Sequence, residues 1–125
     1  MEKGKEIREL TKAELEIMQM IWDKGEAFVN DLLADMPEPK PAYNTVSTII
    51  RILEKKGFVG HESFGRTFRY YPMIGREEYT NTFMSTVLDR FFDNSVPQMI
   101  SFFAEKEKIS LTEMNEIMEM LSKKK

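Results

Sequence analysis

Apolar residues recur every three or four positions through most of this chain, a spacing typical of amphipathic helices. In the stretch LTKAELEIMQMIWDKG, Leu15, Met18 and Trp22 share one predicted helix face. Thr11 and Glu14 have the spacing of a capping box, in which each residue binds the backbone N–H of the other. The first element is therefore predicted to be a helix that begins just after Thr11 and ends at Gly25, a residue type that suits a C-terminal cap.

Two further helices and a hairpin are predicted to follow. A short helix over about residues 29–36 stops at PEPKP, because prolines cannot continue a helix. A third helix covers AYNTVSTIIRILEKKG, residues 42–57. The period then changes, and FVGHESFGRTFRYYPM predicts two strands around a turn at Phe64-Gly65. This order over residues 1–75 is that of a winged helix-turn-helix, so the predicted fold class is mainly α with a small β-hairpin.

Residues 76–125 are predicted to be helical again, with wide apolar stripes. Ser95 is the predicted N-cap of one helix, and Ser110 and Glu113 have capping-box spacing at the start of the next. About 50 residues make a poor independent core, because so small a unit buries too little surface. The stripes therefore need a partner, which is either residues 1–75 or a second copy of the chain. Aromatic and Met-rich faces favour a second copy, so we predict a helical dimerisation region. The predicted interface residues are Tyr79, Phe83, Val87, Phe91, Phe102, Phe103, Met114, Ile117, Met118 and Leu121.

The third predicted helix has a polar face opposite its apolar one. Val46, Ile49, Ile50 and Leu53 form the apolar side. Small side chains on the other side would allow close approach to a DNA major groove, where Asn, Ser, Thr and Arg can bind base edges. We predict a DNA-recognition surface here; the alternative is an ordinary solvated helix face. The polar row consists of Asn44, Thr48, Arg51 and Lys55, with Ser47 on its shoulder and Tyr43 at its start.

The charge distribution favours contact with a polyanion in the same region. The net charge of −3 by itself argues against a nucleic-acid binder. Residues 40–75 nevertheless hold six Lys/Arg against two Asp/Glu, and a polyanion responds to the local potential. Arg66 and Arg69 on the predicted hairpin suit phosphate contacts from a wing. Lys55 and Lys56 suit phosphates near the end of the third helix.

Composition argues against catalysis, metal binding and export. The sequence has no cysteine and a single histidine, His61, so it offers no cysteine–histidine metal set. It contains no glycine-rich phosphate loop and no recognisable nucleophile–base pair, and we predict neither enzymatic activity nor a cofactor. A signal-peptide core and an apolar run of ~20 residues are both missing. We therefore expect a cytoplasmic protein.

Three stretches resemble the penicillinase-repressor (BlaI/MecI/CopY) family of bacterial transcription regulators: LTKAELEIMQMIWDKG, TVSTIIRILEKKGFV and GRTFRYYPMI. The resemblance runs from Leu10 to about Leu121. It implies a dimer of winged-helix subunits that binds a short palindromic operator and represses transcription, with the C-terminal helices as the dimer interface. Carried over by position, it implies DNA contacts by Thr45, Ser47, Thr48 and Arg51 in the helix and by Arg66 and Arg69 in the wing.

Two departures from the family leave the inducing signal open. Antibiotic-responsive members are cut at an Asn-Phe bond, where this chain has Phe102-Phe103. Copper-responsive members use a C-terminal cysteine cluster, which a chain without cysteine cannot form. A membrane-bound sensor protease acting at another bond is implied only by analogy. The alternative function is a winged-helix protein-interaction module with little DNA binding.

Overall fold

The computed structural model describes residues 7–106 and 110–123, which form helices and one antiparallel hairpin. This architecture confirms the predicted fold class. The chain divides into two compact units, of which the first ends at Thr82 and the second begins at Phe83. The elements in chain order are α1 (Lys12–Lys24), α2 (Val29–Ala34), α3 (Tyr43–Lys55), β1 (Val59–Phe64), β2 (Thr67–Pro72), α4 (Arg76–Phe92), α5 (Val96–Glu105) and α6 (Leu111–Lys123).

Helix α1 begins and ends at the residues that the sequence predicts. The backbone N–H of Glu14 donates to Thr11 Oγ1 at 3.2 Å, and the N–H of Thr11 donates to Glu14 Oε1 at 3.0 Å. Gly25 closes the helix with φ +84°, a conformation that side chains with a Cβ rarely adopt. The capping box and the glycine cap are both confirmed.

The apolar face of α3 forms part of the core of the first unit. Val46, Ile50 and Leu53 are at most 1% exposed, and their spacing of four and three residues places them on one helix face. They join Met18 and Ile21 of α1 in the same apolar cluster. Burial on this scale holds α3 firmly and leaves its opposite face outward.

The hairpin is attached to the link between α1 and α2. Strands β1 and β2 pair antiparallel from Val59↔Pro72 to Phe64↔Thr67, and Gly65 takes φ +62° in the turn. The N–H of Ala27 donates to the carbonyl of Tyr70 at 2.9 Å, and the N–H of Tyr70 donates back to Ala27 at 2.8 Å. This bridge fixes β2 to the link between the first two helices.

Tyr79 lies in the core of the first unit, although the sequence predicted it at a dimer interface. Its side chain belongs to the apolar cluster and the residue is 7% exposed. Its hydroxyl accepts a hydrogen bond from the N–H of Leu10 at 3.0 Å, and its ring packs against Trp22 and Phe58. Tyr79 therefore has an intramolecular role, and we correct its assignment.

The second unit carries the two helix starts predicted by the sequence. Ser95 caps α5 through its Oγ, which accepts from the N–H of Gln98 at 3.2 Å. Ser110 and Glu113 form the reciprocal bonds of a capping box at 3.0 and 3.1 Å. In the described part of the chain, every helix is too short or too polar to span a bilayer.

The apolar stripes of the second unit are largely exposed. Phe91 is 74% exposed and Phe102 45%, while Phe83 and Phe103 are also exposed and Val87 and Ile117 are half-buried. The side chains of three residues in the predicted interface lie outside the described ones: Met114, Met118 and Leu121.

Candidate nucleic-acid interface

Helix α3 presents its polar row on the outside of the first unit. Ser47 on its shoulder is half-buried, whereas the row and the two first-turn residues beside it are exposed: Asn44, Thr48, Arg51 and Lys55, with Tyr43 and Thr45. The buried side chains on the opposite face set the rotation of the helix about its axis. The polar residues therefore form one continuous surface on a fixed support.

Arg51 is partly oriented by its own helix. Its Nη1 donates to Ser47 Oγ at 3.2 Å, one helical turn away. This contact uses one of the five N–H donors of the guanidinium, so the others are left to bind an acceptor pair such as guanine O6 and N7. The structure thus brings together Ser47 and Arg51, two residues predicted to contact DNA.

A cleft of about 130 Å³ separates α3 from the hairpin. Tyr43, Ser47 and Arg51 line it from α3, and Arg66 lines it from the wing. Arg66 makes no ion pair with the described residues. Two guanidinium groups therefore border one opening, which suits a phosphate or a base edge.

Arg69 differs from Arg66, because acidic side chains already neutralise it. Its Nη2 lies 2.7 Å from Glu62 Oε1, and its Nη1 lies 3.5 Å from Glu26 Oε2. The guanidinium also stacks over the ring of Phe64 at 4.6 Å. The contact with Glu26 joins β2 to the link after α1. The sequence suggested a phosphate contact for Arg69, and the geometry adds a role in holding the wing.

Lys56 is likewise occupied within the protein. Its Nζ donates to Glu14 Oε1 at 2.7 Å, which joins the end of α3 to the start of α1. Burial acts to raise the pKa of Glu14, but the hydrogen bonds from Lys56 and from the Thr11 backbone outweigh it, so this pKa is lowered. The predicted phosphate contact of Lys56 is not available in this arrangement, whereas Lys55 is exposed.

His61 is bound to a carboxylate on the hairpin side of α3. Its Nδ1 lies 2.7 Å from Glu54 Oε2, and its ring packs against Phe68 at 4.4 Å between centroids. Within residues 7–106 and 110–123, no three His, Asp or Glu side chains are placed to hold a metal ion. The structure therefore assigns His61 to the packing between β1 and the end of α3.

Tyr70 forms the floor of this cleft, and its burial changes the pKa of its hydroxyl. Tyr70 is 3% exposed and lines the cleft beneath Arg51 and Arg66. Its burial, together with the nearby Glu54 carboxylate, raises the pKa of its phenol. Tyr70 therefore keeps its proton at neutral pH and does not cancel the positive charge of the two arginines.

Comparison with known proteins supports the same interpretation. The family profile described as penicillinase repressor matches residues 10–123. This chain belongs to the penicillinase repressor family. The match covers both units, so the family assignment is not confined to the winged helix.

Two relatives align with this chain over nearly their whole length. The penicillinase repressor of Bacillus licheniformis is 30% identical over 122 residues, which cover 97% of this chain and 95% of that protein. The methicillin resistance regulatory protein MecI of Staphylococcus aureus (strain N315) is 27% identical over 117 residues, with 93% and 95% covered. Both are named for regulation.

A solved structure agrees with the fold of the first unit. The DNA binding domain of the repressor BlaI, determined in solution, superimposes with a TM-score of 0.52 at 31% identity. The superposition covers 61% of this chain and 94% of that domain. It confirms the winged-helix architecture predicted from the order of elements.

Proposed function

We propose that this chain is a sequence-specific DNA-binding transcriptional repressor that acts as a homodimer on a palindromic operator. The observation that carries the proposal is the exposed polar row of α3 on a winged helix, in a member of the penicillinase repressor family. Relatives named as a repressor and as a regulatory protein match over almost their whole length. A DNA target of this kind would be met in the cytoplasm, which we propose as the location of the protein.

The α3 row divides into base-reading and backbone-binding residues. Ser47, Thr48 and Arg51 lie on the outer face of α3 and suit base edges in the major groove. Tyr43 and Thr45 lie at the first turn and suit phosphate oxygens, as does Lys55 in the last turn. Asn44 has the geometry for either contact. The phosphate contacts would set the register of the helix in the groove, and the base contacts would supply specificity.

The two wing arginines have different proposed roles. Arg66 is exposed beside the cleft and would bind a phosphate directly. Arg69 would act mainly as a positioning residue, because Glu62 and Glu26 hold its guanidinium. A phosphate contact by Arg69 would first have to replace these carboxylates. The wing therefore contributes one strong phosphate contact in this proposal.

The exposed apolar side chains of the second unit support a homodimer. An apolar surface that includes Phe91, Phe102 and Phe103 is costly to leave in water and typical of an interface. A two-fold axis would let each α3 bind one half of a palindromic site. Phe83, Val87 and Ile117 belong to the same proposed interface, and by sequence pattern so do Met114, Met118 and Leu121. Residues 1–75 would then bind DNA and residues 76–125 would dimerise.

Release from DNA by cleavage at Phe102-Phe103 is not part of the proposal. Both residues lie inside α5, Val96–Glu105, and the pair differs from the Asn-Phe bond that is cut in antibiotic-responsive members. A sensor protease acting at a different bond stays a proposal by analogy.

Salt-dependent binding to duplex DNA separates this function from that of a protein-interaction module. A repressor should bind random duplex DNA weakly and lose that affinity steeply as salt rises, because bound phosphates release counterions. Retention of the full chain on a DNA column across a salt gradient measures this. A chain that elutes at the lowest salt, together with a mixed-charge control protein of similar size, would contradict DNA binding.

A further inference from the structure

A larger cleft in the first unit lies between α1, the connection after α2 and the start of α3. Its volume is about 640 Å³, within the range of ~300–1,000 Å³ found for small-molecule sites. Ile17 and Met20 line it from α1, and Val46 and Ile49 line it from α3. The cleft is thus apolar at its base and large enough for an organic molecule.

Prolines form the third wall of this cleft. Pro37, Pro39 and Pro41 all line it, beside Met36. Proline has no backbone N–H and a fixed φ, so the wall presents no donor at three positions and has little freedom to collapse. A site that is formed before the ligand arrives loses less entropy on binding.

The ionised groups that line the cleft are acidic. Glu16 and Asp35 contribute carboxylates to the lining, which includes no Lys or Arg. Asp35 is paired with Lys24, whereas Glu16 has no ion pair among the described residues. The cleft therefore has a negative edge at Glu16.

Two cations near the cleft are held by other groups. Lys40 lies in the proline-rich connection, but its Nζ donates to the carbonyls of Met36 at 2.6 Å and Leu33 at 2.8 Å. Arg76 donates to Gln19 on the rim, and its charge is paired with Asp23 at 2.6 Å. Lys12 precedes Glu16 by one turn of α1 but makes no ion pair with it in the structure, so none of these three cations is bound to the Glu16 carboxylate.

We propose that this cleft binds a lipophilic organic cation and that the bound cation weakens DNA binding. The apolar walls would receive the hydrophobic body of the ligand, and Glu16 would stabilise its positive charge. Met20 and Met36 have flexible, polarisable side chains that adapt to ligands of different shape. An anion of the same shape would meet like charge and bind more weakly.

Thr45 connects the cleft to DNA binding. It lines the cleft and lies in the first turn of α3, where the proposed function places a phosphate contact. A ligand packed against Thr45 and Val46 would compete with that contact or shift the start of α3. Linkage requires that DNA weaken ligand binding by the same factor. This half of the proposal rests on the proposed function, while the binding half does not.

Two probes of equal shape and opposite charge test the binding half. The full chain is titrated with tetraphenylphosphonium and, separately, with tetraphenylborate, while backbone amide chemical shifts are recorded. We expect saturable shifts at Ile17 and Val46 with the phosphonium, and affinity for the borate at least tenfold weaker. Shifts that do not saturate, or equal affinity for the two ions, would overturn the proposal.

Paired substitutions locate the site. Ala13 is an exposed residue that lines the cleft, so Ala13→Trp should fill it and lower phosphonium affinity at least tenfold. The same change at Ala34, exposed on α2 but outside the lining, should leave affinity unchanged. Glu16→Gln should weaken the phosphonium about fivefold, as expected for one exposed charge pair, and Glu77→Gln should not. Wild-type affinity in Ala13→Trp, with unchanged folding by circular dichroism, would place the ligand elsewhere and contradict the proposal.

Competition with duplex DNA tests the regulatory half. Phosphonium should lower retention of the wild-type chain on duplex DNA and should have no such effect on Ala13→Trp. Equal retention with and without phosphonium, in a chain that binds both, would refute the coupling. Failure of the chain to bind DNA when no phosphonium is present would instead contradict the proposed function, so the two failures are distinguishable.

Discussion

Lys56 at the end of α3 donates to Glu14 at the start of α1 across 2.7 Å, and Glu14 is also the capping-box residue of α1. One carboxylate thus supports the beginning of one helix and the end of the recognition helix. It is 7% exposed, so a neutral replacement leaves the ammonium of Lys56 without a counter-charge in a partly buried place.

Replacement of Glu14 by Gln should lower the free energy of unfolding at neutral pH by about 1 kcal/mol, because the amide oxygen can still accept a hydrogen bond but no longer supplies the counter-charge of Lys56. Chemical denaturation followed by circular dichroism measures this. Glu16→Gln changes the same functional group two residues along the same helix, but at an exposed position. That control should change stability by less than ~0.5 kcal/mol.

The pair of Glu14 and Lys56 should make the free energy of unfolding depend on pH in the acidic range. The pKa of Glu14 is lowered on folding, so its stabilisation is complete above the unfolded pKa, near the ordinary value of 4.5. It is lost as the pH falls from there through the folded pKa. Wild type should therefore lose more stability than Glu14→Gln between neutral pH and acid. Parallel pH curves for the two proteins would show that the pair contributes nothing.

Substitution of Arg51 by Ala should weaken specific DNA binding by about 1–3 kcal/mol for a lost bidentate base contact. It should also relax base preference at one position of each half-site. Fluorescence anisotropy against a panel of single-base operator variants measures both effects. Arg8→Ala removes an exposed arginine that precedes α1, and it should retain wild-type preference. If both variants keep the wild-type preference, Arg51 does not read a base.

The two wing arginines should respond differently to removal. Arg66→Ala should lower affinity for all sequences alike and reduce the slope of log affinity against log salt by about one phosphate contact per subunit. Arg69→Ala should act through the position of the wing, so Glu26→Gln, which removes one of its partners, should reproduce part of its effect. If Glu26→Gln binds DNA like wild type while Arg69→Ala binds DNA weakly, Arg69 contacts a phosphate directly and does not act through the position of the wing.

Placement of a charge on the second unit should dissociate the dimer. Phe91 is 74% exposed in the single chain, and Phe91→Asp would bury an unpaired carboxylate in the proposed interface. Sedimentation equilibrium should then report a monomer, with the helical content of the first unit retained. Met73→Asp, at a site 53% exposed in the first unit, is the matched control and should stay dimeric. A wild-type chain that sediments as a monomer would contradict the proposed interface.

Local sequence signals predicted the elements of this fold well. The Thr11–Glu14 and Ser110–Glu113 capping boxes can be recognised from residues three positions apart. The apolar stripe of α3 can be recognised from the spacing of apolar residues within that helix alone. The start of α3 at Tyr43 and the turn at Gly65 follow from the prolines and glycines beside them. The exposed row on α3 was predictable because burial of one face dictates the other.

Contacts between residues far apart in the chain could not be predicted from the sequence. Tyr79 is bonded to Leu10, 69 residues away, and an aromatic residue on an amphipathic helix has the same periodicity whether it meets a partner chain or its own core. The partners of Arg69 and Lys56 depend on where Glu26 and Glu14 lie after folding. The sequence therefore predicted phosphate contacts for these basic residues, whereas the structure pairs each of them with a carboxylate of the same chain.

Selection of genomic DNA fragments by the full chain tests the central claim most directly. The account predicts that recovered fragments share an inverted repeat, with half-sites about one helical turn of ~10 base pairs, or a multiple of it, apart. The same selection with Arg51→Ala should lose or change the conserved bases within each half. Fragments from the wild-type chain that share no repeated motif would contradict a sequence-specific homodimeric repressor.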